Sequence, residues 1–259
     1  MRRYNYFLGV FLKTGFLSMA TKFCGCAITI INKGVAMELQ RPSPALLLLI
    51  GVFLYSLSVT SHSSPKLDQL LASEEVQDLY PQQHRVFGVP LVATKGTPKK
   101  SVQHAIKVFQ GYLDNDHDGL VDNETVVEAL IQNHGAMVLG KNESDWQDHF
   151  DELIGLMEEQ DLDVDEIEPN LFSLMANEIN PRHGFDASLE EILHLITHIG
   201  YGNAYPDAWG LGRDTPLAKA MDTARGGYFD QVPNRYPKAP WFTYFADECD
   251  YECQMVEYT

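Results

Sequence analysis

The sequence predicts a helix-rich α+β domain, on three observations. Over most of the chain after residue 100, apolar residues recur at three- and four-residue spacing. Two short apolar runs, Val86 to Ala93 and Ala136 to Leu139, have the length of strands. No internal repeat is present that would point to a solenoid or propeller.

The elements follow in order. Residues 64–100 are expected to form a linker and a short strand, because Ser, Pro, Gln and Lys dominate the ends around Val86 to Ala93. Ser101 to Leu113 predicts a helix, with Val102, Ala105, Ile106, Phe109, Tyr112 and Leu113 on its apolar side. After a loop, Val126 to Ile131 resumes the helical pattern, and Ala136 to Leu139 is expected to be a strand. Asp145 to Glu159 and Leu171 to Ile179 are expected to be helices. Ser188 to Ile199 is a further helix stopped by Gly200, and Thr215 to Ala224 opens on a cap residue followed by Pro216. From Tyr228 onward, aromatics and prolines predict an irregular tail with its rings in the core. The globular domain is thus expected over 101–259.

Charge excludes some functions. Across 259 residues, 36 acids oppose 19 bases, a net charge of −17. Residues 1–63 hold six of those bases and only Glu38 among the acids, so 64–259 carries 13 bases against 35 acids, a balance of −22. Such a surface repels phosphate backbones, so no nucleic-acid partner is expected.

The first quarter predicts export. Ala45 to Val59 carries no charge over 15 residues and is followed by Thr60, Ser61, Ser63 and Ser64. That length suits a signal-peptide core better than the roughly 20 residues of a bilayer span. Met37 is the expected functional start, making 37–63 the signal peptide and 1–36 an alternative extension. If Met1 is used, the segment near 45–60 is expected to persist as a signal-anchor, a single membrane span with 64–259 outside the cell. Cys249 and Cys253 are expected to form a local disulfide in an oxidising compartment. Asn123-Glu124-Thr125 and Asn142-Glu143-Ser144 fit the N-glycosylation pattern.

The strongest motif lies at 114–125. Asp114, Asp116, Asp118 and Asp122 place carboxylates at loop positions 1, 3, 5 and 9. Gly119 at position 6 allows a sharp turn, Leu120 offers its carbonyl, and Val121 can pack inward. Alternate carboxylates on a tight loop converge on one point, as a hard cation with six to eight oxygen ligands requires. The stretch, with its flanking helices, resembles an EF-hand calcium loop, a single and non-standard one. Position 12 is Thr125, where that family has a bidentate Glu, and the acid stands one place early as Glu124. The resemblance implies Ca2+ held by Asp114, Asp116, Asp118, Leu120, Asp122 and Glu124. Asp161-Leu162-Asp163-Val164-Asp165 imitates the spacing, but Glu166 stands where glycine is needed.

A second constellation is Glu190-Glu191-Ile192-Leu193-His194-Leu195-Ile196-Thr197-His198. On an α-helix Glu190, Glu191, His194 and His198 share one face. In its paired histidines the segment resembles a zinc metallohydrolase helix, which implies Zn2+ on His194 and His198 with Glu190 or Glu191 activating water. It lacks the H-E-x-x-H pattern. Ser188 and Glu191 also fit a capping box, which accounts for Glu191 without any metal. The expected function is a secreted or membrane-anchored protein binding structural calcium. The alternatives are a calcium-stabilised zinc-dependent hydrolase of the peptidase type and a non-catalytic extracellular matrix or adhesion component.

Overall fold

Two runs, Val89–Ala93 and Ala136–Gly140, are buried at every position, the pattern of strands covered on both faces. They form the centre of a four-stranded sheet. The computed structural model describes residues 65–179, 184–246 and 249–259, all within one unit running from Val59 to Thr259. The protein is mixed α and β and rich in helix. Strands β1 (Gln82–Val86) and β2 (Val89–Ala93) make an antiparallel hairpin. Strand β3 (Ala136–Gly140) pairs parallel with β2, and β4 (Leu171–Met175) pairs parallel with β3. The spatial order is β1-β2-β3-β4.

Side chains alternate between the two faces, and each face has its own core. On one, Val89, Leu91, Met137, Leu139 and Leu174 meet α3 (Lys99–Leu113), α4 (Glu124–Gln132) and α7 (Ala187–Leu195). On the other, Val92, Ala136, Val138 and Leu171 meet α1 (Pro65–Leu71), α2 (Glu74–Leu79), α5 (Glu143–Glu159) and α6 (Val164–Ile167). After α7 the helix continues over Ile196–Tyr201 with wider π-type turns, then α8 (Gly202–Ala204) and α9 (Pro206–Trp209). A separate apolar cluster of Ala218, Met221, Tyr251 and Met255 joins α10 (Pro216–Arg225) to α11 (Tyr251–Tyr258).

Several expectations change. Leu171 to Ile179 is not a helix but begins as β4, since a short apolar run fits either period and pairing from Ala136↔Leu171 to Gly140↔Met175 decides it. The stretch expected to be a linker holds α1, α2 and the β1–β2 hairpin, and Leu67, Leu70, Val76 and Tyr80 are core residues. The tail is irregular only up to Asp250 and then forms a helix over Tyr251–Tyr258, and its rings are divided: Trp241 is 92% and Phe245 70% exposed, while Tyr236 and Tyr251 are buried. The signal segment, Met37 and the candidate span near 45–60 lie outside the described residues. Among the described residues no helix is long and apolar enough to cross a membrane.

One buried cation fastens the C-terminal helix. Arg225 is fully buried and donates to the Gln254 Oε1 and Asp222 Oδ1 atoms, each at 2.6 Å, and to the Phe229 carbonyl. Its guanidinium lies over the Tyr251 ring at 5.2 Å. Burial, and then the neighbouring Asp222, push the Tyr251 phenol up to about 12, so it stays a hydrogen-bond donor to Asp222. The Cys249–Cys253 disulfide, with 5.3 Å between the Cα atoms, and the Asp250 carboxylate on the Cys253 N–H fix the start of α11.

Two substitutions test this packing. Gly140→Ala would put a Cβ 2.4 Å from the Trp146 Cβ and 2.7 Å from its Cα, so urea unfolding should show a loss of about 2–3 kcal/mol. Arg225→Met leaves Asp222 and Gln254 without their partner and should cost about 3 kcal/mol in the same measurement.

Candidate metal centres

Two groups of metal-capable side chains occur among the described residues, each with ligand atoms lying within 4.8 Å of one another. The first is Asp114, Asp116 and Asp122 in the loop between α3 and α4. The second is Glu190, His194 and Glu257, which joins α7 to α11.

The loop is shaped by its own amides. Asp114, at the end of α3, is buried and accepts the Asp118 and Gly119 N–H groups at 3.1 and 2.9 Å. Asp122 accepts the Asn115 N–H at 2.8 Å, while its own N–H bonds the Leu113 carbonyl. Gly119 has φ +88°, a left-handed conformation that a Cβ would strain. Val121 packs toward the core, as the motif predicts, and Leu120 leaves its side chain 69% exposed. Asp118 stands apart from the three clustered aspartates and accepts the Leu120 N–H at 2.8 Å. Glu124 is the first residue of α4 and also stands outside the cluster. Asn123 caps that helix through its Oδ1 and donates from Nδ2 to the Tyr205 hydroxyl.

In the second group, α7 is capped differently from the sequence expectation. Asp186 is the N-cap, accepting both the N–H and the hydroxyl of Ser188, and His104 of α3 holds its other oxygen at 2.7 Å. The Ser188–Glu191 capping box does not form. Glu191 instead turns toward His194, 3.9 Å from its Nδ1. His194 is only 5% exposed. Glu190, in the first turn, and Glu257, from the last turn of α11, complete the cluster. Tyr244 lies beside Glu257, and the Tyr236 hydroxyl pins the Tyr244 backbone from both sides. His198 is not part of the cluster. It lies in the π-type turns with its Nδ1 buried and lacking a hydrogen-bond partner, beside the Phe172 ring.

The electrostatics are those of crowded carboxylates. Burial alone would lower the His194 pKa, but Glu191, Glu257 and Glu190 outweigh it and hold the ring above its ordinary 6.5. Burial raises Glu257 above the usual carboxylate range, reinforced by Glu190 and Glu191 and opposed by His194 and Tyr244. His198 moves down, from burial and then from His194.

Of the residues the sequence marks, the structure joins Glu190 to His194, brings Glu191 alongside, and leaves His198 outside the group. Glu257 had no spacing signal, because its closeness to Glu190 depends on where α11 docks. A cleft of about 800 Å³ at the carboxyl ends of β3 and β4, lined by Lys100, His104, Lys107 and Lys141, touches neither cluster. The chain matches no family model, no curated protein and no solved structure.

His194 and Glu257 both bind protons more tightly folded than unfolded. Their contributions to stability are therefore complete below the unfolded pKa values and are lost as pH rises through the folded ones. His198 acts oppositely, contributing above 6.5 and losing that as pH falls. In chelator, the urea midpoint should decline as pH is raised past 6.5. His194→Gln should flatten that decline, and an unchanged slope counts against the assignment.

Proposed function

We propose that this is an exported calcium-binding protein whose 114–125 loop takes Ca2+ as a structural tie between α3 and α4. The observation that carries this reading is the convergence of the Asp114, Asp116 and Asp122 oxygens around the left-handed bend at Gly119. In this reading the Leu120 carbonyl joins the shell, Asp118 and Glu124 turn in from outside the cluster when the ion binds, and water takes the place of the missing bidentate residue at Thr125. Carboxylates this close repel one another, and a divalent ion removes the repulsion. A loop short of one bidentate ligand belongs to the weak class, with a Kd of about 10⁻⁴–10⁻³ M, filled outside the cell and empty in the cytosol. The Cys249–Cys253 bond supports an oxidising compartment. Asn142, exposed at the N-cap of α5 with its oxygen taken by the Asp145 N–H, is the better glycan acceptor. The Asn123 amide is engaged by Tyr205.

Calorimetric titration and thermal unfolding test the proposal together. At ten times Kd the ion should add about 1.4 kcal/mol, raising Tm by roughly 3–6 °C. Asp114→Ala should abolish both the heat of binding and the gain in Tm. A gain that survives this substitution would place the ion elsewhere.

A further inference from the structure

We propose that Glu190, His194 and Glu257 hold a second metal ion, a borderline divalent cation of the Zn2+ class, between α7 and α11. The proposal does not rest on the calcium loop.

Four observations converge. First, the donors are mixed: one imidazole nitrogen and two carboxylates, a set suited to Zn2+ and its first-row neighbours, whereas the loop offers oxygen alone. Second, the geometry is close. Tetrahedral zinc spaces its ligand atoms about 3.4 Å apart at bonds of 2.0–2.1 Å, so atoms within 4.8 Å of one another need to close by about 1.4 Å at most, within the reach of side-chain rotation. Third, His194 is nearly sealed from solvent, and a further carboxylate, that of Glu191, stands 3.9 Å from its Nδ1 beside the two of the cluster. Fourth, the ligand-bearing elements are fastened to each other by bonds that use none of the three ligand side chains. Thr197, just past α7, shares a 2.7 Å hydroxyl hydrogen bond with Thr259 at the end of α11. Arg225 and the disulfide hold the other end of α11.

Three ligands from among the described residues would leave a coordination position open, the arrangement of a catalytic zinc more than of a closed structural one. Glu191 stands beside His194 and Tyr244 beside Glu257, so two further polar groups border the three ligands. The orphaned Nδ1 of His198 lies on the following turn, outside the group.

The test uses the full chain stripped with chelator and then held in excess calcium. Zinc uptake is read by equilibrium dialysis with elemental analysis, and Co2+ substitution is read by its visible absorption. The wild type should take up one equivalent. Glu257→Gln, nearly isosteric, and His194→Ala should each weaken uptake at least tenfold and alter the Co2+ spectrum. His198→Ala and Asp114→Ala should retain both. Circular dichroism identifies any variant that fails to fold, and if His194→Ala is one, Glu257→Gln decides. The proposal is overturned by absence of stoichiometric uptake or by uptake indifferent to Glu257→Gln. Loss of zinc in Asp114→Ala would overturn it too, by moving the ion to the loop, while leaving the calcium reading to its own titration.

Discussion

The close docking of α4 on the wide turns that follow α7 is the contact on which both acidic centres depend. Gly200 makes it possible: a Cβ there would lie 2.7 Å from the Val126 Cγ1 and 3.2 Å from the Leu130 Cγ. Val126 and Leu130 are both buried at this seam, and Ile199 meets Gly135 just beyond α4. The loop that ends in α4 therefore cannot shift without moving the helix that carries His194. Asn123 and Tyr205 add a polar bridge over the same junction, on the solvent side. The link transmits position. Nothing in it requires two conformations.

The π-type turns themselves have a local chemical cause. Thr197 donates its hydroxyl to the Leu193 carbonyl at 2.8 Å, occupying the acceptor that its own amide would use in an α-helix. Further on, the Gly202 N–H reaches back five residues to the Thr197 carbonyl, which is the π pattern. The Thr197 hydroxyl oxygen also meets the Thr259 hydroxyl, so the departure from α geometry and the anchoring of α11 involve one side chain.

Much of the fold is legible in the sequence where periodicity is long and capped. Lys99–Leu113, Glu143–Glu159 and Pro216–Arg225 differ from their expected bounds by two residues or fewer. The calcium-like loop is legible because its ligands are local, and Gly119 and Val121 behave as their positions demand. Leu171–Met175 is not, because five apolar-rich residues carry no decisive period and a partner strand far away in sequence settles the matter. The second centre is half legible. Glu190 and His194 are one α-helical turn apart, but a helical wheel carried on to His198 assumes 100° per residue across Ile196–Tyr201, where the turns widen. Glu257 arrives through tertiary docking by Arg225, Gln254 and Tyr251, and none of these has a spacing relation to α7.

The two centres differ in the property that sorts cations. The loop aspartates other than Asp114 are exposed, so water screens them and can enter a shell of high coordination number. At the second centre the imidazole is buried and donors are few; desolvation favours the protonated form of Glu257 and opposes it at His194, where the neighbouring carboxylates outweigh it. A large, oxygen-seeking ion gains little where one donor is nitrogen. A small ion with nitrogen affinity gains little from a wet ring of carboxylates. The same surplus of acid is thus distributed once over a solvated loop and once around a buried histidine, two donor environments that differ in charge, burial and ligand type, while the Gly200 seam packs α4 against the turns that follow α7.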